Sequence, residues 1–343
     1  MKALMKMSHD VGDVHLQDIP EPECRPGMVK VKIKYCGICG TDLHIYHDTF
    51  TYYPPVIMGH EMSGTVIETG EGITDIQKGD RVAILGSTMI TCGTCEYCRA
   101  GYYMFCKTRR GMGHGTHGGF TEYVVVREDQ CYKLPENVSY ETGAVIEAFA
   151  TSVQAVEELI PFGPGDTVLI SGPGPIGLLT LALVVAHGCR VIVAGTASDS
   201  KRLETALKMG AAATIDVGQQ DLVETVKTLT NGRGADIAID CSGAAKSIDA
   251  CLSALRNMGT HIQLGIAGKP ITMDFDKTIF KRIQVFGSVG HSLKTWDTAM
   301  RILGQNKVDL GPVISHIMPL AEWEKAFDML EKKDALKILL QCS

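Results

Sequence analysis

The stretch Thr167-Val-Leu-Ile-Ser-Gly-Pro-Gly-Pro-Ile-Gly177 decides the fold of the second half of the chain. An apolar strand at its start and a helix at its end flank Gly172, Gly174 and Gly177, which fit the pattern G-x-G-x-x-G. The first glycine permits a tight turn, the second lets a pyrophosphate approach the backbone, and the third lets the helix pack on the strand. Because the N-terminal end of a helix attracts phosphate, the stretch predicts a dinucleotide site rather than a glycine-rich turn without a ligand.

Strands and helices alternate around this stretch, which is typical of a doubly wound parallel sheet. The predicted strands are 167–171, 190–194, one near 214, 236–240, 261–265 and 284–287. The predicted helices are 176–187, 201–209, 222–229 and 246–255. The first half differs, because Met28-Val-Lys-Val-Lys-Ile-Lys34 alternates apolar and polar residues as a half-buried strand does. We therefore expect an α/β protein with an irregular β domain at 1–150, a doubly wound sheet at 151–288 and a closing segment at 289–343.

The composition is that of an ordinary globular protein, with 45% hydrophobic and 21% charged residues. A length of 343 residues favours two domains. The net charge of −6 argues against a general nucleic-acid binder. The apolar runs are too short to span a bilayer, and the first residues lack the layout of a signal peptide. We expect a cytoplasmic protein without a nucleic-acid or membrane partner.

Four of the twelve cysteines form the pattern Cys92-x2-Cys95-x2-Cys98-x7-Cys106. In a reducing compartment such a cluster favours metal ligation over disulfides. Four thiolates close a tetrahedral zinc site and leave no position for a substrate, so this zinc would be structural. Unliganded or oxidised cysteines are the alternative. A nucleic-acid-binding zinc ribbon would also use this spacing, but the acidic net charge argues against it.

A second candidate metal site begins in the stretch Cys36-Gly-Ile-Cys39-Gly-Thr-Asp-Leu-His44. Together with Gly59-His60-Glu61 and the distant Glu147, it offers a thiolate, an imidazole and carboxylates. That mixture suits a zinc ion that keeps one position open for a substrate. Metal and nicotinamide together indicate oxidation of an alcohol by hydride transfer.

These motifs, in this order along essentially the whole chain, resemble the zinc-dependent medium-chain alcohol and polyol dehydrogenases, in particular their sorbitol and threonine dehydrogenase-like branch. The resemblance implies a GroES-like catalytic domain, completed by the C-terminal segment, around a Rossmann domain. It also implies two zinc ions per chain, one catalytic and one structural, and a homo-oligomer, either a dimer or a tetramer.

The resemblance assigns roles to individual residues around the catalytic zinc. It implies that Cys39, and not Cys36, is the first ligand, and that His60 is the second. Glu61 and Glu147 are each implied as a ligand or as a close neighbour of the metal, and a glutamate at 147 is the pattern of the polyol branch. For the proton of the alcohol it implies a path from the hydroxyl of Thr41 through the coenzyme ribose to His44 and solvent, although His44 could also be a plain surface histidine.

For the coenzyme, the glycine pattern, the ribose end of the site and the resemblance together give contacts expected at twelve positions on the strand ends and helices of the second half. They are Thr151, Gly172, Gly174, Pro175, Ile176, Gly177, Arg202, Leu264, Gly265, Ile266, Ser288 and Val289.

The ribose end of the nucleotide site leaves two alternatives open. No acidic residue stands at the tip of the second strand, and Asp199 follows a few residues later. Asp199 could accept hydrogen bonds from the ribose of NAD, or it could be a helix N-cap. Thr196, Ser198 and Arg202 could instead hold the 2′-phosphate of NADP. From the sequence we expect NAD, with NADP as the alternative.

The substrate is expected to be a small molecule, a secondary alcohol of a polyol that is oxidised to a ketose. His291 stands where sorbitol dehydrogenases carry an arginine, so sorbitol itself is in doubt, and threonine or 2,3-butanediol is the alternative. A hypothesis of another class is a zinc-stabilised nucleotide-binding protein without catalysis.

Overall fold

The computed structural model describes every residue from Met1 to Ser343, and the chain divides into two compact units. Unit 1 comprises Met1–Glu147, Ser292–Asn306 and Ile314–Ser343, and unit 2 comprises Ala148–His291 and Lys307–Val313. The boundary after Glu147 lies three residues before the boundary that we expected after residue 150. The closing segment expected at 289–343 is divided, because Lys307–Val313 groups with unit 2.

Sixteen strands account for the sheets of both units. In chain order they are β1 (Lys2–Lys6), β2 (Val14–Asp18), β3 (Met28–Gly37), β4 (Val56–Ile57), β5 (Glu61–Thr69), β6 (Arg81–Leu85), β7 (Tyr123–Arg127), β8 (Cys131–Lys133), β9 (Thr167–Ser171), β10 (Arg190–Gly195), β11 (Ala213–Asp216), β12 (Ala235–Asp240), β13 (Leu255–Gln263), β14 (Gln284–Gly287), β15 (Ile314–Pro319) and β16 (Lys337–Gln341).

Eleven α-helices connect or cover these strands. They are α1 (Gly40–Tyr46), α2 (Glu96–Arg99), α3 (Tyr140–Gly143), α4 (Ile146–Val153), α5 (Pro175–Ala186), α6 (Ser200–Lys208), α7 (Leu222–Leu229), α8 (Ala245–Ala254), α9 (Asp276–Phe280), α10 (Leu293–Gly304) and α11 (Trp323–Glu331). None of them has both the length and the apolar character that a membrane crossing requires.

Unit 1 is organised around β3, which pairs with β5, β7 and β16. The larger sheet has the order β15-β16-β3-β5-β6-β8, and a smaller sheet has the order β2-β1-β4. The alternation predicted at Met28–Lys34 is incomplete, because Lys30 is buried with its Nζ 2.6 Å from Oε1 of Glu21. A central strand is covered on both faces, so a polar residue within it needs a partner of this kind.

Unit 2 contains a six-stranded sheet of order β11-β10-β9-β12-β13-β14, and all neighbouring strands are parallel. The prediction of a doubly wound parallel sheet is therefore confirmed. The chain order reverses between β9 and β12, so the carboxyl ends of these two strands form the switch point at which such sheets bind ligands. The glycine stretch Gly172–Gly177 follows β9 at this point.

Candidate active site

The first metal-ligand candidate, Cys39, is held by the helix that follows it. Cys39 is the N-cap of α1, and its backbone N–H donates to Oδ2 of Asp42 at 2.8 Å. The other oxygen of Asp42 accepts from the backbone N–H of Gly59 at 3.3 Å. Asp42 is fully buried, so its carboxylate joins the loop of Cys39 to the loop that carries His60.

The loop of His60 turns sharply into β5 at Gly59. Gly59 has φ +86°, and a Cβ there would lie 2.6 Å from Cδ1 of Phe120 and 2.9 Å from Sγ of Cys36. Only glycine fits such a position. Cys36 is itself fully buried and packs against this turn, as expected for a cysteine that is not a ligand.

The structure brings together one donor atom from each of Cys39, His60 and Glu61, all within 4.8 Å of one another. His60 Nδ1 and Glu61 Oε1 are buried without a hydrogen-bond partner, which is costly unless a further group binds there. Sulfur, imidazole nitrogen and carboxylate oxygen are the donors that zinc accepts, and three protein ligands are the usual number at a catalytic zinc. The residues therefore fit a catalytic zinc ion.

The electrostatics of this cluster favour a cation. Burial lowers the pKa of His60, but the negative charges of Asp42, Cys39 and Glu147 outweigh burial and raise it well above its ordinary value. Oδ1 of Asp42 lies 3.8 Å from Nδ1 of His60. A positive charge is stabilised here, and a divalent metal would receive the same stabilisation.

Glu147 stands outside the group of three donors but acts on it electrostatically. It is half-buried near the start of α4, and its charge contributes to the raised pKa values of both His60 and Lys337. The structure thus places Glu147 close to the metal-ligand candidates without placing its oxygens among them.

Sequence reasoning missed Lys337, the first residue of β16. Lys337 is 2% exposed, and its Nζ lies 2.5 Å from Oε2 of Glu61 and donates to the carbonyl oxygen of Ile38 at 3.0 Å. Burial lowers the pKa of Lys337, but Glu61 and then Cys39 outweigh burial and raise it. The lysine therefore stays charged and balances Glu61. The only indication of this buried ion pair in the sequence is a lysine at the start of an apolar strand.

The two residues expected to move the proton lie on α1. The Sγ–Oγ1 distance from Cys39 to Thr41 is 3.8 Å. His44 is exposed, and its Nδ1 is 3.0 Å from Oγ1 of Thr49. The structure thus places Thr41 beside a metal-ligand candidate and His44 at the surface, and no hydrogen bond joins the two directly.

The four cysteines of the second cluster also converge. The Sγ atoms of Cys92, Cys95, Cys98 and Cys106 lie within 4.8 Å of one another. Backbone N–H groups donate to three of the sulfurs, at 3.4 Å from Cys92 to Cys106, 3.3 Å from Cys95 to Cys92 and 3.4 Å from Cys98 to Cys95. The N–H groups of Cys95 and Thr94 lower the pKa of Cys92 to about 6. Hydrogen bonds also lower the pKa of Cys106, whereas burial raises the pKa of Cys98 to about 12. Four converging sulfurs, two of them favoured as thiolates, fit a structural zinc ion.

In unit 2, the glycine stretch has the geometry of a dinucleotide-binding turn. Gly172 has φ +103°, a Cβ on Gly174 would meet nothing within 4 Å, and a Cβ on Gly177 would lie 2.0 Å from the carbonyl oxygen of Gly172. The three positions correspond to a tight turn, an open approach to the backbone and a close contact of helix with strand. α5 begins at Pro175 and continues through Ile176, so its N-terminus faces the open position at Gly174.

The other residues that are expected to contact the coenzyme lie mainly at the carboxyl ends of the other strands. After β13, the N–H groups of Leu264 and Gly265 both donate to the carbonyl oxygen of Asp240 at 2.9 Å, and Ile266 is exposed. After β14, the N–H of Ser288 donates to the carbonyl oxygen of Gln263 at 3.0 Å, and the next residue is the half-exposed Val289. Thr151 lies on α4 and Arg202 on α6.

Comparison with known proteins agrees with this geometry. Residues 25–136 match the family model for the alcohol dehydrogenase GroES-like domain, and residues 175–305 match the model for zinc-binding dehydrogenases. A sorbitol dehydrogenase from Halalkalibacterium halodurans is 37% identical over 341 residues, which cover 99% of each chain. The chain belongs to the zinc-dependent medium-chain dehydrogenases.

Solved structures of related dehydrogenases have the same fold. A crystal structure described as a zinc-binding dehydrogenase from Sinorhizobium meliloti 1021, bound to NADP, superposes on this dehydrogenase with a TM-score of 0.91 at 30% identity, covering 99% of this chain and 98% of the other. For 2R,3R-butanediol dehydrogenase from Bacillus subtilis the TM-score is 0.90 at 29% identity, covering 99% of each chain. The dehydrogenase is thus an NAD(P)-dependent, zinc-binding oxidoreductase.

Two further residues of unit 1, Tyr46 and His117, make contacts within the protein. Tyr46 packs against the rings of Trp323 and Phe327 at centroid distances of 6.3 and 5.8 Å. Nδ1 of His117 accepts from the backbone N–H of Ile57 at 3.2 Å. These contacts account for Tyr46 and His117 without a ligand.

Proposed function

We propose that the dehydrogenase oxidises a secondary alcohol of a polyol to a ketone and transfers the hydride to a nicotinamide coenzyme. The observation that carries the proposal is the cluster of Cys39, His60 and Glu61, in which Nδ1 of His60 and Oε1 of Glu61 are buried without a hydrogen-bond partner. The likeness to a sorbitol dehydrogenase supports a polyol as the substrate class.

Zinc, when bound by these residues, lowers the pKa of an alcohol and so favours loss of its proton. Cys39 and His60 supply two ligands, and Glu61 and Glu147 supply the carboxylates beside them. Lys337 neutralises one oxygen of Glu61, which leaves the site less negative when the alcohol also becomes an anion. The hydroxyl of Thr41, beside Cys39, would accept the proton of the alcohol, and His44 at the surface would release it to solvent. Because no hydrogen bond joins Thr41 to His44, a ribose hydroxyl of the bound coenzyme would have to connect them. The overall reaction converts alcohol and oxidised nicotinamide into ketone, reduced nicotinamide and one proton.

A panel of substrates tests the proposal. Sorbitol, xylitol, arabitol, 2,3-butanediol and threonine are each supplied with NAD and with NADP, and the absorbance of the reduced nicotinamide is followed. Turnover of a sugar alcohol by the zinc-loaded protein, and its loss in Cys39→Ser, would support a polyol dehydrogenase. Preferred turnover of 2,3-butanediol or threonine would replace the substrate class by one of these two. No turnover of any substrate, with zinc bound, would leave a non-catalytic nucleotide-binding protein.

We also propose a homo-oligomer that forms through β14, the edge strand of unit 2. β14 pairs only with β13, so the hydrogen-bonding groups of its outer edge have no strand partner. Val285 on this strand is 47% exposed, and Ile279 and Phe280 beside it in sequence are 69% and 84% exposed. An open strand edge with apolar neighbours is typical of an interface, and a two-fold axis would pair β14 with the same strand of a second copy.

Light scattering after size-exclusion chromatography tests this interface. Val285→Lys places a charge on the edge strand and is expected to yield monomers. Val217→Lys is the matched control, since Val217 is 42% exposed and follows β11 at the opposite edge of the sheet. A Val285→Lys variant with the same mass as the parent would exclude this interface.

A further inference from the structure

The tip of the second strand of unit 2 has no room for the acidic residue that NAD-binding sites place there. β10 ends at Gly195, and a Cβ at this position would lie 2.8 Å from Cγ of Pro173 and 3.2 Å from Cβ of Asp199. Pro173 lies within the glycine stretch, so its ring cannot move without moving the turn that faces the pyrophosphate. A carboxylate at the strand tip, where it would accept hydrogen bonds from the ribose hydroxyls, is therefore excluded.

The one acidic residue that follows the tip is already engaged. Oδ2 of Asp199 accepts from the backbone N–H of Thr196 at 3.1 Å and from its hydroxyl at 2.7 Å. Oδ1 of Asp199 lies 3.5 Å from NH1 of Arg202. Asp199 is only 7% exposed, so it caps its own turn and does not offer its carboxylate to a ribose.

The exposed surface of the same turn carries hydroxyl groups and cations. Thr196 and Ser198 are exposed, and their hydroxyl oxygens are 2.9 Å apart. Lys201 is exposed near the start of α6, and the next residue is Arg202, whose side chain is 15% exposed. Hydroxyl groups and a guanidinium are the donors that bind a phosphate, whereas the diol of an unphosphorylated ribose needs an acceptor.

We propose that this dehydrogenase prefers NADP, and that Ser198 and Arg202 bind its 2′-phosphate on the turn that the hydrogen bonds of Thr196 to Asp199 hold in place. The inference rests on the proposed function, because it specifies the coenzyme that accepts the hydride. It reverses the expectation of NAD drawn from the sequence, which depended on Asp199 reaching the ribose. The guanidinium of Arg202 offsets the charge of Asp199, with Nη1 3.5 Å from Oδ1, and the N–H of Thr196 donates to Oδ2. Asp199 and Arg202 together therefore present no net negative charge to the phosphate.

Binding of two small nucleotides isolates the ribose end from the rest of the coenzyme. Isothermal titration of the zinc-loaded protein with 2′,5′-ADP and with 5′-AMP compares molecules that differ only in the 2′-phosphate. We expect 2′,5′-ADP to bind at least about tenfold more tightly, as two or three charge-assisted hydrogen bonds would give. The same order is expected in kcat/KM for NADP and NAD with the best alcohol of the panel. Equal binding of the two nucleotides, or a higher kcat/KM with NAD, would overturn the inference.

Two variants and a control test whether Ser198 and Arg202 cause the difference in affinity between 2′,5′-ADP and 5′-AMP. Ser198→Asp places a carboxylate beside Thr196, and Arg202→Met removes the guanidinium, so each should bring the ratio of the two affinities close to one while 5′-AMP binding changes little. Arg190→Met removes the same charge at the opposite end of β10 and should leave the ratio unchanged. A ratio that survives both Ser198→Asp and Arg202→Met would overturn the assignment of these residues.

The outcomes for this inference and for the proposed function are separable. Nucleotide binding without turnover of any alcohol would remove the polyol dehydrogenase and leave the coenzyme preference standing. Turnover of polyols with NAD in preference to NADP would remove only the coenzyme preference.

Discussion

Replacing Lys337 with methionine tests whether a buried ion pair balances the charge of Glu61. Methionine keeps the unbranched apolar stem of lysine and removes its charge. Lys337 and Glu61 are 2% and 0% exposed, and their charged atoms are 2.5 Å apart. The variant would leave a carboxylate buried opposite an uncharged side chain. Breaking a buried pair from one side costs about 3–5 kcal/mol, so we expect unit 1 to lose about that much of its free energy of unfolding.

Two further variants separate the ion pair from the effect of losing a lysine. Lys227→Met breaks a pair of similar length, 2.9 Å from Nζ to Glu224, but its side chains are 47% and 71% exposed. An exposed pair contributes about 0–1 kcal/mol, so this variant should unfold almost like the parent. The double variant Lys337→Met/Glu61→Gln removes both charges and should recover about half of the loss or more, because no buried charge then remains unpaired.

Tryptophan fluorescence in urea is the appropriate measurement, because both tryptophans of the chain, Trp296 and Trp323, lie in unit 1. The signal therefore reports on that unit. Every variant is freed of zinc with a chelator, so that a metal ion neither balances Glu61 nor loses a ligand in Glu61→Gln. The reasoning would be refuted if Lys337→Met unfolded at the same urea concentration as the parent, or if the double variant were less stable than the single one.

Three other predictions concern the metal and nucleotide sites. Cys39→Ser should abolish turnover, with loss of one zinc by metal analysis and retained nucleotide binding, whereas Cys36→Ser should keep its zinc; the reverse result would exchange the roles of the two cysteines. Cys95→Ser should lose the structural zinc and melt at a lower temperature, and unchanged melting would argue against a zinc in that cluster. Gly174→Ala should weaken coenzyme binding without loss of stability, since its Cβ meets nothing, whereas Gly177→Ala should also destabilise unit 2 as measured by circular dichroism; equal stability of the two would contradict the 2.0 Å contact.

The candidate sites whose geometry the structure assembles from residues named in the sequence analysis are specified locally along the chain. The glycines at 172–177 needed only a strand before them and a helix after them. The four cysteines lie within fifteen residues. Cys39, His60 and Glu61 are farther apart, but the turn at Gly59 and the N-cap position of Cys39 fix their directions locally, and the structure brings their donor atoms together.

Features that depend on the pairing of distant strands were missed or left open. Lys337 reaches Glu61 only because β16 pairs with β3, and nothing near Lys337 in the sequence reveals that pairing. The role of Asp199 was undecided for a different reason, since a cap and a ribose acceptor use the same carboxylate. The hydrogen bonds from Thr196 to Asp199, together with the lack of room for a side chain at Gly195, were needed to distinguish the cap from the ribose acceptor.

The pairing of β16 with β3 has a consequence for synthesis of the protein on the ribosome. β3 is translated early, but its neighbour β16 follows the whole of unit 2 in the chain. Until β16 is made, the edge of β3 that it covers stays open and Glu61 lacks its counter-charge. We therefore expect unit 2 to reach its folded state first during translation, and unit 1 to need protection from aggregation until its last strand arrives.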